Sequence, residues 1–77
     1  MTVENFEKAL RSRWKRTPFR PFVVELVSGS RIQVDHPEAM AIFPGGLAVH
    51  VAKEGEMTIL DHEGVAKVSD VSGQKAA

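Results

Sequence analysis

The stretch FVVELVSGSRIQV, residues 22–34, decides the fold because its apolar side chains recur at every second position. That spacing is typical of a β-strand with one buried face, and Ser28-Gly29-Ser30 interrupts it in the middle. A three-residue loop over 27–29, with Gly29 in the left-handed conformation, sets the apolar residues of both halves on one face. The sequence therefore predicts a β-hairpin in which Leu26 pairs with Ser30, Val24 with Ile32 and Phe22 with Val34.

Upstream of this hairpin, apolar residues follow a helical period of three to four instead. They form one stripe of an amphipathic helix, which consists of Val3, Phe6, Leu10 and Trp14. Thr2 is a suitable N-cap, and Thr17-Pro18 ends the helix because proline disfavours helical geometry in the residue before it. We expect a helix over about 3–15 and an extended segment over 19–22.

Downstream, the apolar segments 40–43 and 47–51 flank Pro44-Gly45-Gly46. A Gly-Gly pair suits a two-residue turn, which would pair Ile42 with Val49 and Met40 with Val51. On this register four side chains point outward, namely Ala41, Phe43, Ala48 and His50. A three-residue turn would exchange the two faces, so the orientation of this hairpin depends on the loop length.

The remaining chain continues as short strands. A loop at 53–55 with glycine last pairs Val51 with Met57 and Val49 with Ile59. Residues 61–64 have the composition of a tight turn. A last strand over about 65–71 is expected to carry Val65 and Val68 inward, and residues 72–77 are expected to form a flexible tail.

Length restricts the chain to one domain. With 77 residues and a mass of 8.5 kDa, folding buries only about 60% of the unfolded surface, enough for one thin core. A helix followed by five short strands favours a mainly β (α+β) fold. We predict a single domain over 1–71, an N-terminal helix followed by a five-stranded antiparallel barrel, and this order of elements resembles SH3-like and Sm-like barrels. Leu10, Trp14 and Phe19 are the expected plug at one mouth.

Composition excludes several classes of function. The chain has no cysteine, hence no disulfide and no thiolate ligand or nucleophile, and no apolar run approaches the ~18 residues of a membrane span. His36, His50 and His62 match no metal-binding spacing, and the clusters around the first and last suit turns. No nucleophile elbow or phosphate-binding loop is present. We expect a cytoplasmic protein that is not an enzyme, without metal, cofactor or small-molecule substrate.

Charge is distributed unevenly along the chain. Residues 1–20 carry six basic and two acidic side chains, a net charge of +4, and residues 21–77 carry −4. A basic arm on an acidic body can contact nucleic acid, but it can equally form ion pairs within the helix or dock on its own body. The nucleic-acid contacts would come from Arg11, Lys15, Arg16, Arg20, Arg31 and, by stacking on bases, Phe43.

Unpaired strand edges give a second hypothesis, because they recruit other chains. The predicted protein interface comprises Val23, Val27 and Phe43. Under this hypothesis the chain is a protein-interaction or self-assembly module, whose partner is a further copy in a homo-oligomer or another protein. The alternative is Sm-like RNA binding through the basic arm.

The stretch Thr17-Pro18-Phe19-Arg20-Pro21-Phe22, with Gly29 and His36-Pro37-Glu38, resembles a family of short uncharacterised bacterial proteins. That resemblance implies no activity. The order of elements is also similar to Sm-like and SH3-like barrels, and Sm-like proteins bind single-stranded RNA on rings of subunits. The asparagine-bearing turn and the Arg-Gly pair of the Sm motifs are absent around 40–43 and 64–66, so this similarity implies the fold more than RNA binding.

Overall fold

The computed structural model describes residues 1–71, which form one α-helix and six β-strands. The helix α1 is Val3–Trp14, and a short 3₁₀ turn, Pro37–Ala39, lies between the second and third strands. The strands are β1 Phe22–Leu26, β2 Arg31–Val34, β3 Met40–Phe43, β4 Leu47–Val51, β5 Met57–Asp61 and β6 Val65–Asp70. The predicted tail, 72–77, lies outside the described residues.

The strands form two antiparallel three-stranded sheets, in the orders β2-β1-β6 and β3-β4-β5. A mainly β, α+β fold is therefore confirmed. The five-stranded closed barrel is not confirmed, because residues 1–71 contain six strands in two separate sheets. The difference arises because the connection after β2 carries the chain from one sheet to the other, so each sheet keeps two edges.

The first hairpin has the predicted register. Phe22 lies opposite Val34 and Val24 opposite Ile32, and the backbone N–H of Leu26 donates to the carbonyl of Ser30 over 2.8 Å. Gly29 has a φ of 99°, the left-handed conformation that glycine adopts at little cost. The sequence pattern alone was sufficient here because only one register places the apolar residues on a common face.

β6 contains an irregularity that brings both of its inward valines to the core. Glu25 pairs with Lys67 but Leu26 pairs with Val65, so Ala66 is an extra residue opposite β1. A β-bulge of this kind shifts the two-residue alternation by one position. Val65 is buried and Val68 packs against the core, as predicted.

The second hairpin has a different register from the predicted one. Its loop contains all three residues 44–46, so Met40 pairs with His50, Ala41 with Val49 and Ile42 with Ala48. The predicted outward positions of Ala48 and His50 are therefore wrong, since both are buried. The later pairs of Val51 with Met57 and Val49 with Ile59 are confirmed. They face away from the core rather than into it.

Contacts from distant parts of the chain hold the loop at three residues. The Gly46 carbonyl accepts the backbone N–H of His62 over 2.9 Å, and a carboxylate oxygen of Glu7 accepts the N–H of Gly45 over 3.2 Å. A Cβ on Gly46 would lie 2.7 Å from the His62 ring. These contacts join the loop to the helix and to the β5–β6 turn, which local sequence does not predict.

The core lies between the sheets and under α1. It comprises Phe6, Leu10, Phe22, Val24, Val34, Met40, Ala48, Leu60 and Val65, with Trp14 and Phe19 packed against it half-buried. The Thr2 hydroxyl caps the helix by accepting the N–H of Asn5. α1 contacts β3 and β6, one edge strand of each sheet. The predicted helix and its contribution to the core are confirmed.

Candidate interaction surface

The outer face of the sheet β3-β4-β5 carries apolar side chains in place of polar ones. Three cross-strand rows form it: Phe43–Leu47–Asp61, Ala41–Val49–Ile59, and Val51–Met57. We call the apolar members of these rows the apolar face; they are Ala41, Phe43, Leu47, Val49, Val51, Met57 and Ile59. An antiparallel sheet with one solvated side normally places polar residues there.

Exposure on the apolar face is greatest along its edge strand. Ile59 is 73% exposed, Met57 is 64% exposed and Phe43 is 46% exposed. Of the large apolar side chains exposed within residues 1–71, five lie on this face. Ordinary soluble proteins expose such residues singly, and contiguous patches mark contact sites.

The inward side of the same sheet has the opposite character at one end. Because side chains alternate along a strand, His50 and Thr58 lie opposite each other on the inner side, and His50 is 9% exposed. A one-residue shift would bury Val49 and Ile59 in their place. The observed register thus leaves apolar surface in water and places an imidazole and a hydroxyl beneath it.

The dimensions of the apolar face follow from strand geometry. Two strands of five residues and one of four cover about 14 Å by at most about 17 Å, a footprint of roughly 200–240 Å². The largest apolar patches on soluble monomers, about 300–600 Å² of accessible surface, are comparable and are often functional. The face is large enough for one extended contact.

β5 is an unprotected edge of this sheet. It carries no lysine, arginine or proline, and its one charged residue, Asp61, is the last of the strand. The two edges of the other sheet carry Arg31 on β2 and Lys67 on β6, both exposed. Charged residues on edges oppose pairing with other chains, so β5 is less defended than β2 or β6.

The predicted interface residues do not form one patch. Phe43 lies on the apolar face, whereas Val23 is only 4% exposed at the centre of the other sheet. Its cross-strand neighbours there are Gln33 and Ser69. Val27 is 68% exposed in the β1–β2 loop. Val23 therefore offers little contact surface, because it lies on the central strand β1 between the neighbouring strands β2 and β6.

Most of the predicted basic contact residues are exposed. Arg11 and Lys15 lie on the solvent side of α1 and its C-cap, and Lys8, which was not among the predicted contacts, precedes Arg11 by three residues and is also exposed. Arg20 and Arg31 are also exposed. These side chains remain accessible to an anion.

Arg16 forms an ion pair within the chain, which is the alternative that the sequence left open for the basic arm. Its guanidinium lies 3.0 Å from a carboxylate oxygen of Asp70 and also donates to the carbonyl of Arg20. Arg13 lies 3.2 Å from the same oxygen. The Arg16 side chain is 19% exposed, so it fastens the end of the helix to β6 and has little surface left for a phosphate.

The two guanidiniums shift the titration of Asp70. Desolvation raises the pKa of this carboxyl. The hydrogen bond and charge of Arg16, assisted by Arg13, lower it by more than desolvation raises it, so the pKa lies below its usual value of 3.8. An opposite charge within hydrogen-bond distance favours the ionised carboxylate. Asp70 is therefore the anion that the basic end of α1 already binds.

His62 lies apart from the other two histidines, which line one cavity. His36 is exposed at the 3₁₀ turn, and the His62 Nδ1 lies 2.9 Å from the carbonyl oxygen of Met1. A cavity of about 270 Å³ is lined by polar residues of β2 and the β4–β5 loop together with His36 and His50. Within residues 1–71, no group of three histidine or acidic side chains has an arrangement that could hold a metal ion.

The helix of residues 1–71 is too short and too polar to cross a membrane.

No protein-family model matches the chain, and neither a curated protein nor a solved structure shows a significant match. The resemblance to the family with the Pro-Phe-Arg-Pro-Phe segment stays a prediction.

Most of the apolar face was not predicted from the sequence. The pattern that marks it is an alternation of apolar residues along two strands, formed by Leu47, Val49, Val51, Met57 and Ile59. Alternation defines two faces without telling which one is buried, and the loop length that decides between them depends on distant contacts.

Proposed function

We propose that this chain is a non-enzymatic protein-interaction module that binds through the apolar face. The observation that carries the proposal is the apolar outer side of the sheet β3-β4-β5. The free energy falls when another surface covers water-exposed valine, isoleucine and methionine side chains in contiguous rows.

The second support is the edge strand β5, which borders the same surface. Met57 and Ile59 are the most exposed members of the apolar face, and both lie on this strand. A partner that covers them also approaches the unpaired backbone of β5. The contact surface proposed here replaces the set Val23, Val27 and Phe43, of which only Phe43 is retained.

Oxidative footprinting in intact cells of the source organism tests the proposal. We expect hydroxyl radicals to modify Met57 readily in the dilute purified chain and several-fold less in cells, because a partner covers the apolar face there. Met40, which is 4% exposed, is the buried control. Val27 is the exposed control away from the sheet. Equal modification of Met57 in both settings would contradict the proposal.

A second candidate function is RNA binding in the cytoplasm by a small SH3-like or Sm-like domain. The supporting observation is the exposed stripe of Lys8, Arg11 and Lys15, since clustered lysine and arginine supply salt-dependent phosphate contacts. Arg20 and Arg31 would extend it. The internal ion pair of Arg16 weakens this candidate.

Fluorescence anisotropy with a labelled single-stranded RNA pool at low salt tests that candidate. Arg11→Glu combined with Lys15→Glu is expected to abolish binding, and added salt is expected to weaken it. Lys53→Glu, in the β4–β5 loop, is the control for a charge reversal away from α1. Absence of binding by the unmodified chain at low salt would exclude RNA as a partner.

A further inference from the structure

We infer that the occupant of the apolar face is a second copy of this chain, packed face to face about a two-fold axis parallel to β4. The inference rests on the proposed function and specifies its partner. Two sheets packed in this way stand about 10 Å apart with their strands within about 30° of each other.

The size of the apolar face favours another sheet as its occupant. An α-helix is about 10 Å across and would leave uncovered part of a face that is about 14 Å wide. A second copy brings a surface of the same outline.

The relief of the apolar face is self-complementary about the chosen axis. The edge strand β5 carries the protruding Ile59, and the opposite edge strand β3 carries the small Ala41 in the same cross-strand row. Rotation about an axis along β4 places β5 of one copy over β3 of the other. Ile59 then lies over Ala41 of the other copy, and Val49 lies near the axis.

The other in-plane two-fold axis, perpendicular to the strands, fits less well. It would place β5 over β5 and set Ile59 against Ile59, with Ala41 over Ala41. Large residues would collide while a gap remained on the other side, and such gaps forfeit dispersion contacts. Alternation of large and small residues across facing positions is what lets two layers interdigitate.

Charge does not oppose the arrangement. Among the residues of the three rows, Asp61 carries the one charge, at a corner beside Leu47. The axis along β4 moves the Asp61 carboxylates to opposite edges of the interface, about two strand spacings or 10 Å apart. Both remain at the solvated rim, where an ionised group keeps its hydration.

Pairing of two β5 edges is the competing geometry. It would extend the sheet to six strands and satisfy backbone groups, but it would leave both apolar faces in water on one enlarged surface. Face-to-face packing removes them from water, and burial of apolar area is the main driving force of association.

Sedimentation equilibrium of the full chain tests for the second copy. We expect a concentration-dependent monomer–dimer equilibrium whose dissociation constant rises at least about tenfold in Ile59→Lys. Val27→Lys is the matched control, because Val27 is as exposed as Ile59 but lies in the β1–β2 loop. An unmodified chain that stays monomeric at millimolar concentration, or a dimer equally weakened by both variants, would overturn the inference.

Cysteine cross-linking distinguishes the two axes. The chain has no cysteine of its own, so only the introduced thiols react. A mixture of Ala41→Cys and Ile59→Cys chains, treated with a short bismaleimide, is expected to give more cross-linked dimer than either variant alone. Ser69→Cys, on the outer side of the other sheet, is the control that stays monomeric. Efficient cross-linking of Ile59→Cys to itself would indicate edge pairing or the perpendicular axis and would refute the proposed geometry.

The two proposals fail in different ways. A purified chain that is monomeric, together with a Met57 that is protected in cells, would refute the second copy while the interaction function stands. Unprotected Met57 with a dimer that Ile59→Lys does not affect would refute both.

Discussion

The two sheets have the same number of strands and the same antiparallel pairing, but their outer faces have opposite chemistry. On the sheet β2-β1-β6 one cross-strand row is Arg31–Glu25–Lys67, with Glu25 placed between two cations. The corresponding row on the sheet β3-β4-β5 is Ala41–Val49–Ile59. Opposite charges across strands stabilise a solvated face, whereas exposure of an apolar row to water is unfavourable.

The difference teaches that the fold does not require an apolar outer face. The first sheet is complete with a polar exterior, and its central Val23 is covered by its neighbours. The second sheet keeps apolar residues outside even though His50 and Thr58 occupy inner positions. The outward apolar residues of the second sheet are therefore the observation on which the proposed contact surface rests.

The largest effect on stability is expected at Leu60 of β5, in contrast to the adjacent Ile59. Leu60 is 2% exposed and Ile59 is 73% exposed, so Leu60→Ala is expected to lower the free energy of unfolding by about 2–5 kcal/mol. Ile59→Ala is expected to change it by less than about 0.5 kcal/mol in the dilute monomer. Urea unfolding at low concentration measures both, and equal losses would mean that the apolar face belongs to the core.

A smaller effect is expected in the loop that determines which residues face outward. Gly46→Ala places a Cβ 2.7 Å from the His62 ring at a φ of 82°, and we expect a loss of about 1–3 kcal/mol. Gly45→Ala has a similar φ but meets nothing within 4 Å. It is expected to lose about 1 kcal/mol. Thermal unfolding compares the pair, and a larger loss at Gly45 would contradict the role given to the contact with His62.

The smallest effect concerns the ion pairs at the edge of the first sheet. Asp70→Asn is expected to cost about 0.2–1 kcal/mol at neutral pH, as is typical of partly exposed ion pairs. The pKa of Asp70 is lower in the folded chain, so its stabilisation is present above the usual pKa of 3.8 and is lost as pH falls through the lowered value. Unfolding curves of the two proteins should therefore converge once the pH falls below the lowered pKa of Asp70, and a constant difference would exclude this origin.

The sequence predicted the first sheet better than the second for a physical reason. In the β1–β2 hairpin the outward residues include Glu25, Arg31 and Gln33, so only one face could be buried. In the β3–β4 hairpin both sets of alternate residues contain apolar side chains. The choice then depended on the Gly46–His62 and Gly45–Glu7 contacts, which join segments far apart in sequence.

The candidate site was predictable only in part. The outward position of Phe43 was predicted from the two-residue turn, but Val49 and Ile59, which lie on the same face, were expected to point inward. Val23 was assigned to the surface because alternation places it opposite Val24, and a strand paired on both sides hides such a residue. The ion pair between Arg16 and Asp70 joins residues far apart in the chain, and local sequence patterns do not predict such a contact.

The position of Trp14 has a practical consequence. Its indole N–H donates to the carbonyl of Pro37 over 2.8 Å, and the chain has one tryptophan and no tyrosine. Intrinsic fluorescence therefore arises from a single indole at the junction of α1 and the 3₁₀ turn. Its emission wavelength therefore monitors detachment of the helix from the 3₁₀ turn.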